Sequence, residues 1–174
     1  MFNPNNSSSE SDLVVLGILP KPISEFTNDD IGTEISIPYT DAGGIINGPI
    51  IFEVVGVNHH TSEEHQQTIT LMTKNVIRLA AFDAKEPNNP LYDDMFDKVA
   101  RAEYGNNRWS QSNIRQWLNS NGAANTWFMA QHDYDEAPTA DTVNNESGAY
   151  ADEPGFLAGF SPDIIQHFTD ITNT

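Results

Sequence analysis

The apolar residues of this chain fall into short runs, and proline, glycine or Asn/Asp clusters close them. No run approaches the roughly 20 residues that a bilayer-spanning helix needs. A chain patterned this way folds from short strands and short helices, which predicts an α+β class with small antiparallel sheets and two or three short helices. Residues 13–19 are apolar and stop at Pro20 and Pro22, where two prolines forbid continuation, so they read as a buried strand. Residues 33–38 alternate polar and apolar, the signature of a strand with one wet face. Residues 41–44 read as a turn. Residues 49–57 carry Ile50, Phe52, Val54 and Val55 and predict a second strand, paired with the first as an antiparallel hairpin. Further strands are expected at 68–73 and 76–82.

Helical spacing comes later in the chain. Residues 91–101 can form a short helix with Met95, Val99 and Ala102 on one face. The clearest helix spans 111–119. Ser110 is its expected N-cap, and Ile114, Trp117 and Leu118 fall at i, i+3 and i+4. Asn121-Gly122 then reads as a stop signal. Ser161-Pro162-Asp163 starts another helix, with a serine cap, proline at the first helical position and an acid in the first turn. Its expected buried face is Ile164, Ile165 and Phe168. Residues 1–12, rich in Asn and Ser, read as a flexible polar arm, and 13–174 as a single α+β domain.

Charge narrows the partners. Among 174 residues there are 8 Lys and Arg against 25 Asp and Glu, a net charge of −17. Such a surface repels phosphate backbones and anionic membranes, so neither nucleic acid nor membrane insertion is expected. There is no cysteine, which excludes disulfides and thiolate metal sites. The N-terminal stretch has no basic region followed by an apolar one, so no secretory signal is expected.

Four stretches could carry chemistry. His59, His60 and His65 lie close together with Glu63 and Glu64, and imidazole with carboxylate suits transition metals. Their spacing does not match a helical His-Glu-x-x-His site, and a polar exposed loop without a bound metal is expected. Asp83, Lys85 and Glu86 follow an apolar run and read as a strand end with an ion pair. Gln131-His132-Asp133-Tyr134-Asp135 lacks the spacing of a calcium loop and reads as a solvated turn. Tyr104-Gly105-Asn106-Asn107-Arg108-Trp109 is the most distinctive stretch. Tyr104, Arg108 and Trp109 are its candidate ligand-binding residues, because aromatics and arginine are frequent binding anchors. No catalytic residue, no metal ligand and no cofactor is assigned.

Three ordered motifs carry a resemblance. The first runs over residues 70–79 and continues through Phe82-Asp83-Ala84-Lys85-Glu86-Pro87. The second runs from Tyr104 through Trp109-Ser110-Gln111-Ser112-Asn113-Ile114-Arg115-Gln116-Trp117-Leu118 to Ser120. The third is Ala151-Asp152-Glu153-Pro154-Gly155-Phe156-Leu157-Ala158-Gly159-Phe160-Ser161. Together they resemble an uncharacterised domain family common in bacteriophages and prophages of Gram-positive bacteria, and in surface proteins of gut bacteria, and the match covers about residues 50–168. The resemblance implies a C-type-lectin-like fold. It also implies a non-catalytic bacteriophage virion structural protein of the tail, baseplate or head surface, used for attachment or host-surface recognition. The expected partners are other virion chains, in a homo-oligomer, and a host-surface glycan or protein. The expected location is the virion, assembled in the host cytoplasm. Two alternatives stand beside this: a metal-dependent enzyme using His59, His60 and His65, and a bacterial glycan-binding surface module. The family's second half, with its Trp-Trp-Leu-Arg-Ser-type motif, has no counterpart before Thr174. The chain is therefore expected to be a fragment, or to be completed by a neighbouring chain that covers apolar surface on 49–57, 68–82 and the helix after Ser161.

Overall fold

The computed structural model describes residues 13–41, 46, 48–59, 67–89 and 101–168. The expected arm at 1–12, His60, His65 and all but the last residue of the expected helix at 91–101 lie outside them. The chain divides into two compact units, each assembled from separated stretches. The first takes residues 1–40, 47–77 and 160–174, and the second takes 41–46 and 78–159. At the level of class this is a small α+β protein with a three-stranded antiparallel sheet and a few short helices.

The sheet belongs to the first unit. Strands β1 (Glu34–Ile37), β2 (Ile50–Val57) and β3 (Ile69–Thr73) pair in sequence order, with β2 in the centre. The expected hairpin is present: Ile35 sits opposite Phe52 and Ile37 opposite Ile50. The two-residue period of β1 puts Ile35 and Ile37 inside and Glu34 and Ser36 outside. Ile50, Val54 and Ile69 join them in the core. The register of β2 against β3 shifts between Val54 and Gly56, a bulge that bends the central strand. A Thr27 capping box, in which Thr27 Oγ1 accepts from the Asp29 amide and Asp30 Oδ2 accepts from the Thr27 amide, starts the 3₁₀ turn Asn28–Asp30.

The strand expected at 13–19 is not formed. Residues 13–15 are helical, and Gly17, with φ +69°, closes the turn. The Ile18 amide donates to the Leu13 carbonyl and the Gly17 amide to that of Val14, which together make a Schellman cap. The turn buries Leu13, Ile18 and Leu19 and leaves Val15 and Leu16 outside. Helix α2 (Pro162–Ile165) starts after Ser161 as expected, with proline at its first turn, although the Ser161 side chain makes no cap bond. It buries Ile164, while Phe160 meets Tyr39 and Phe168 edge-on. Of the surface expected to lie open, Ile50, Val54, Ile69 and Ile164 are buried, whereas Met72 and Val76 are exposed.

The second unit has almost no regular structure among its described residues. Its one α-helix of note is α1 (Asn113–Leu118), preceded by the 3₁₀ turn Trp109–Gln111. The expected cap moves from Ser110 to Ser112, whose Oγ accepts from the Arg115 amide and donates to the Trp109 carbonyl. Ser110 is consumed by the 3₁₀ turn instead. Trp117 is buried, and Ile114 and Leu118 pack against it half-buried. All three tryptophans of the chain lie in this unit. Trp117, Trp127 and Tyr150 form its core, with Trp127 stacked on Tyr150 at 5.6 Å between ring centroids. Each ring has a polar handle with a partner: Trp117 Nε1 donates to the Pro154 carbonyl, Trp127 Nε1 to that of Glu153 and the Tyr150 hydroxyl to that of Ala81. Arg78 lies over Trp117, 5.2 Å from the ring centroid, and pairs with Glu153. Residues 76–82, expected as a strand, form no ladder. Their polar backbone is met piecemeal, as where the Ala81 amide donates to the Gly148 carbonyl.

Candidate functional site

The second motif separates into an inward and an outward set of side chains. Gly105 turns the chain with φ +74°, and a Cβ there would stand 2.2 Å from the Ala84 carbonyl oxygen. Only glycine lets the two backbones approach this closely. The approach delivers the next amide, Asn106 N–H, to Asp83 Oδ2 at 2.7 Å. The amide of Asn113 reaches the other oxygen, Oδ1, at 2.9 Å. Asn113 returns the contact, its Oδ1 accepting from the Ala84 amide at 2.7 Å. Asn106 Oδ1 accepts from the Arg108 amide at 2.9 Å, and its Nδ2 donates to Gln111 Oε1 at 3.2 Å. Asp83, Asn106, Ser112 and Asn113 are all buried. These contacts hold the motif in shape.

The outward set is the one read from the sequence. Tyr104 is 66% exposed and Trp109 53% exposed, and Arg108 is exposed beside them in the chain. Phe82, 43% exposed, lies with its ring centroid 6.4 Å from that of Trp109. Among the described residues Arg108 has no ion pair. Tyr104 and Phe82 also line a cleft of about 270 Å³, together with Leu79, Asp83, Asn144 and Asn145. Apolar walls with a few polar groups are the usual composition of a small-molecule site. Phe82 and the two asparagines carried no sequence signal as ligand residues, because the fold brings 79–85 and 143–148 together.

Asp83 also belongs to a second cluster. Glu86 has a side chain with 0% exposure and accepts from Arg101 at 2.7 Å, which gives the ion pair expected near Asp83-Ala84-Lys85-Glu86 a different cation from Lys85. The turn over 131–135 is solvated as expected at Gln131, Asp133 and Tyr134, but His132 and Asp135 turn inward. Asp135 has a side chain with 1% exposure, its Oδ2 accepting from the Gln131 amide at 2.7 Å and its Oδ1 from Asn113 Nδ2 at 3.2 Å. His132 packs inward with it, 15% exposed. One ligand atom from each of Asp83, His132 and Asp135 lies within 4.8 Å of the others. Burial, only partly offset by the two amides, pushes the Asp83 carboxyl up to about 6. No local spacing connects residue 83 to 132 and 135, so sequence reading could not join them. Of the histidines grouped in the sequence, His59 is exposed after β2, and His60 and His65 lie outside the described residues.

Among the described residues no helix is long and apolar enough to cross a membrane. No family model matches the chain, and neither the curated proteins nor the solved structures give a match.

Proposed function

We propose that the chain is a non-catalytic attachment module of a bacteriophage virion, with a C-type-lectin-like domain that recognises a host-surface glycan through the aromatic face of its second unit. The supporting observation is the division of one motif into buried and exposed halves. Asn106, Ser112, Asn113 and Trp117 are held inside, while Tyr104, Arg108 and Trp109 are presented outside next to the cleft. Large aromatics so exposed leave apolar surface wet, and a rigid ring on a fixed turn loses little entropy when a ligand covers it. Flat rings suit the apolar face of a sugar, and Asn144 and Asn145 supply donors and acceptors for hydroxyl groups. The resemblance of the three motifs supplies the virion context, in which other copies or other virion chains flank this one.

Binding of the purified chain to cell-wall polysaccharide from Gram-positive hosts tests the reading. Wild type is expected to be retained on the polysaccharide. Tyr104→Ala with Trp109→Ala is expected to abolish retention while leaving the thermal midpoint within a few degrees of wild type. Retention unchanged by the double substitution would move the binding face elsewhere.

A further inference from the structure

We propose that Asp83, His132 and Asp135 form a binding site for one divalent transition-metal ion of the zinc or manganese kind, which clamps the 131–135 turn to Asp83. The tautomer of His132 is the first argument. Its Nδ1 lies 3.1 Å from the Asp133 carbonyl oxygen, which can only accept, so Nδ1 carries the proton. Nε2 is the inward-facing nitrogen, and a ring that donates from Nδ1 can ligate through Nε2. That is the ligating tautomer, fixed by a backbone carbonyl on the other nitrogen, as at many histidine metal sites.

The second argument is what Nε2 faces. Its nearest charged neighbours are Glu86 Oε1 at 3.7 Å and Asp135 Oδ1 at 3.9 Å. Both distances exceed hydrogen-bond length, and Nε2 is buried with no hydrogen-bond partner. A cation held between Nε2 and the carboxylates supplies the partner that the ring nitrogen lacks. Donors bound about 2.0–2.3 Å from one ion stand roughly 3–4.5 Å from each other, which fits the spread of this cluster. The three ligands are also braced. Asp83 is held by two backbone amides, and Asp135 by the Gln131 amide and the Asn113 carboxamide.

Charge is the third argument. Three carboxylates, of Asp83, Glu86 and Asp135, have buried side chains here, and Arg101 forms an ion pair with Glu86. Buried negative charge is costly, and a dication beside Asp83 and Asp135 offsets part of it. One imidazole with two carboxylates and no thiolate favours a borderline ion over calcium. Three protein ligands leave a position for water, which the partial exposure of His132 admits.

Chelator-stripped protein titrated with zinc, manganese and calcium, followed by calorimetry and thermal melting, tests the site. One zinc or manganese ion per chain at micromolar affinity or tighter is expected, with a raised melting midpoint and no comparable effect of calcium. His132→Gln and Asp135→Asn are expected to weaken binding at least tenfold, and His59→Gln with His60→Gln and His65→Gln to leave it unchanged. Absence of stoichiometric binding, or loss of binding only in the triple variant, overturns the proposal. Should His132→Gln fail to fold, X-ray absorption of the zinc-loaded wild type decides. One imidazole with oxygen ligands supports the site, and two or more imidazoles overturn it.

Discussion

The two units reach stability by different routes. The first closes a three-stranded sheet over Ile35, Ile37, Ile50, Val54 and Ile69, all aliphatic. Its backbone is satisfied by ladder bonds and its core by non-directional burial. The second buries rings and polar groups, and many of its backbone amides and carbonyls are met by side chains: Ala84 by Asn113, Asn106 by Asp83, Pro154 by Trp117. Burial tolerates a change of shape better than a directed bond tolerates loss of one partner, because an orphaned buried amide retains its full desolvation cost. A surface site on the second unit therefore inherits its geometry from specific hydrogen bonds.

The comparison can be broken by experiment. Trp117→Ala removes the central ring and its bond to Pro154, and is expected to cost about 3–5 kcal/mol in urea unfolding. Next in size is a pH effect in chelator-treated protein. The folded state holds the Asp83 carboxyl at about 6 against its ordinary 3.8, so it binds more protons than the unfolded chain between these values. The contribution of this carboxyl to stability is therefore fully present below its ordinary value and is lost as pH rises through 6, an effect of at most about 3 kcal/mol. Melting curves across this range should show the slope in wild type and lose it in Asp83→Asn. Asn113→Leu leaves the Ala84 amide without its acceptor and should cost about 1–3 kcal/mol by chemical denaturation. Ile35→Val, deleting one methylene from the sheet core, should cost about 0.5–1.5 kcal/mol. If Asn113→Leu proves milder than Ile35→Val, the contrast between the units fails. Smallest is Trp109→Ala, expected within about 0.5 kcal/mol of wild type because the ring is exposed.

The sheet unit was the more legible of the two. Ile35 and Ile37 alternate with Glu34 and Ser36, and turn residues bound β2, so period and punctuation agree. Residues 13–19 misled because Val14 and Val15 favour strands, whereas Gly17 at positive φ closes a helical turn. Ser110 and Ser112 are equal as caps in the sequence, and only the 3₁₀ turn at Trp109–Gln111 separates them. In the second unit Tyr104, Arg108 and Trp109 were picked out by residue type, and all three lie on the surface. Asp83 and the stretch 132–135 were each visible as chemistry-bearing residues, but nothing in the sequence joined them. Side-chain-to-backbone bonds between distant segments have no period, and buried carboxylates look in sequence like solvated ones.

The placement of all three tryptophans in the second unit has a spectroscopic consequence. Indole fluorescence reports on that unit alone, and the sheet unit is dark to it. Trp109 sits in water and should emit at long wavelength, while Trp117 and Trp127 are enclosed and should emit further to the blue. Far-ultraviolet dichroism near the β-sheet minimum instead follows β1–β3. Recorded on one sample, the two signals give separate unfolding curves for the halves of the molecule without any label. Coincident curves indicate one cooperative transition, and displaced curves rank the two cores directly.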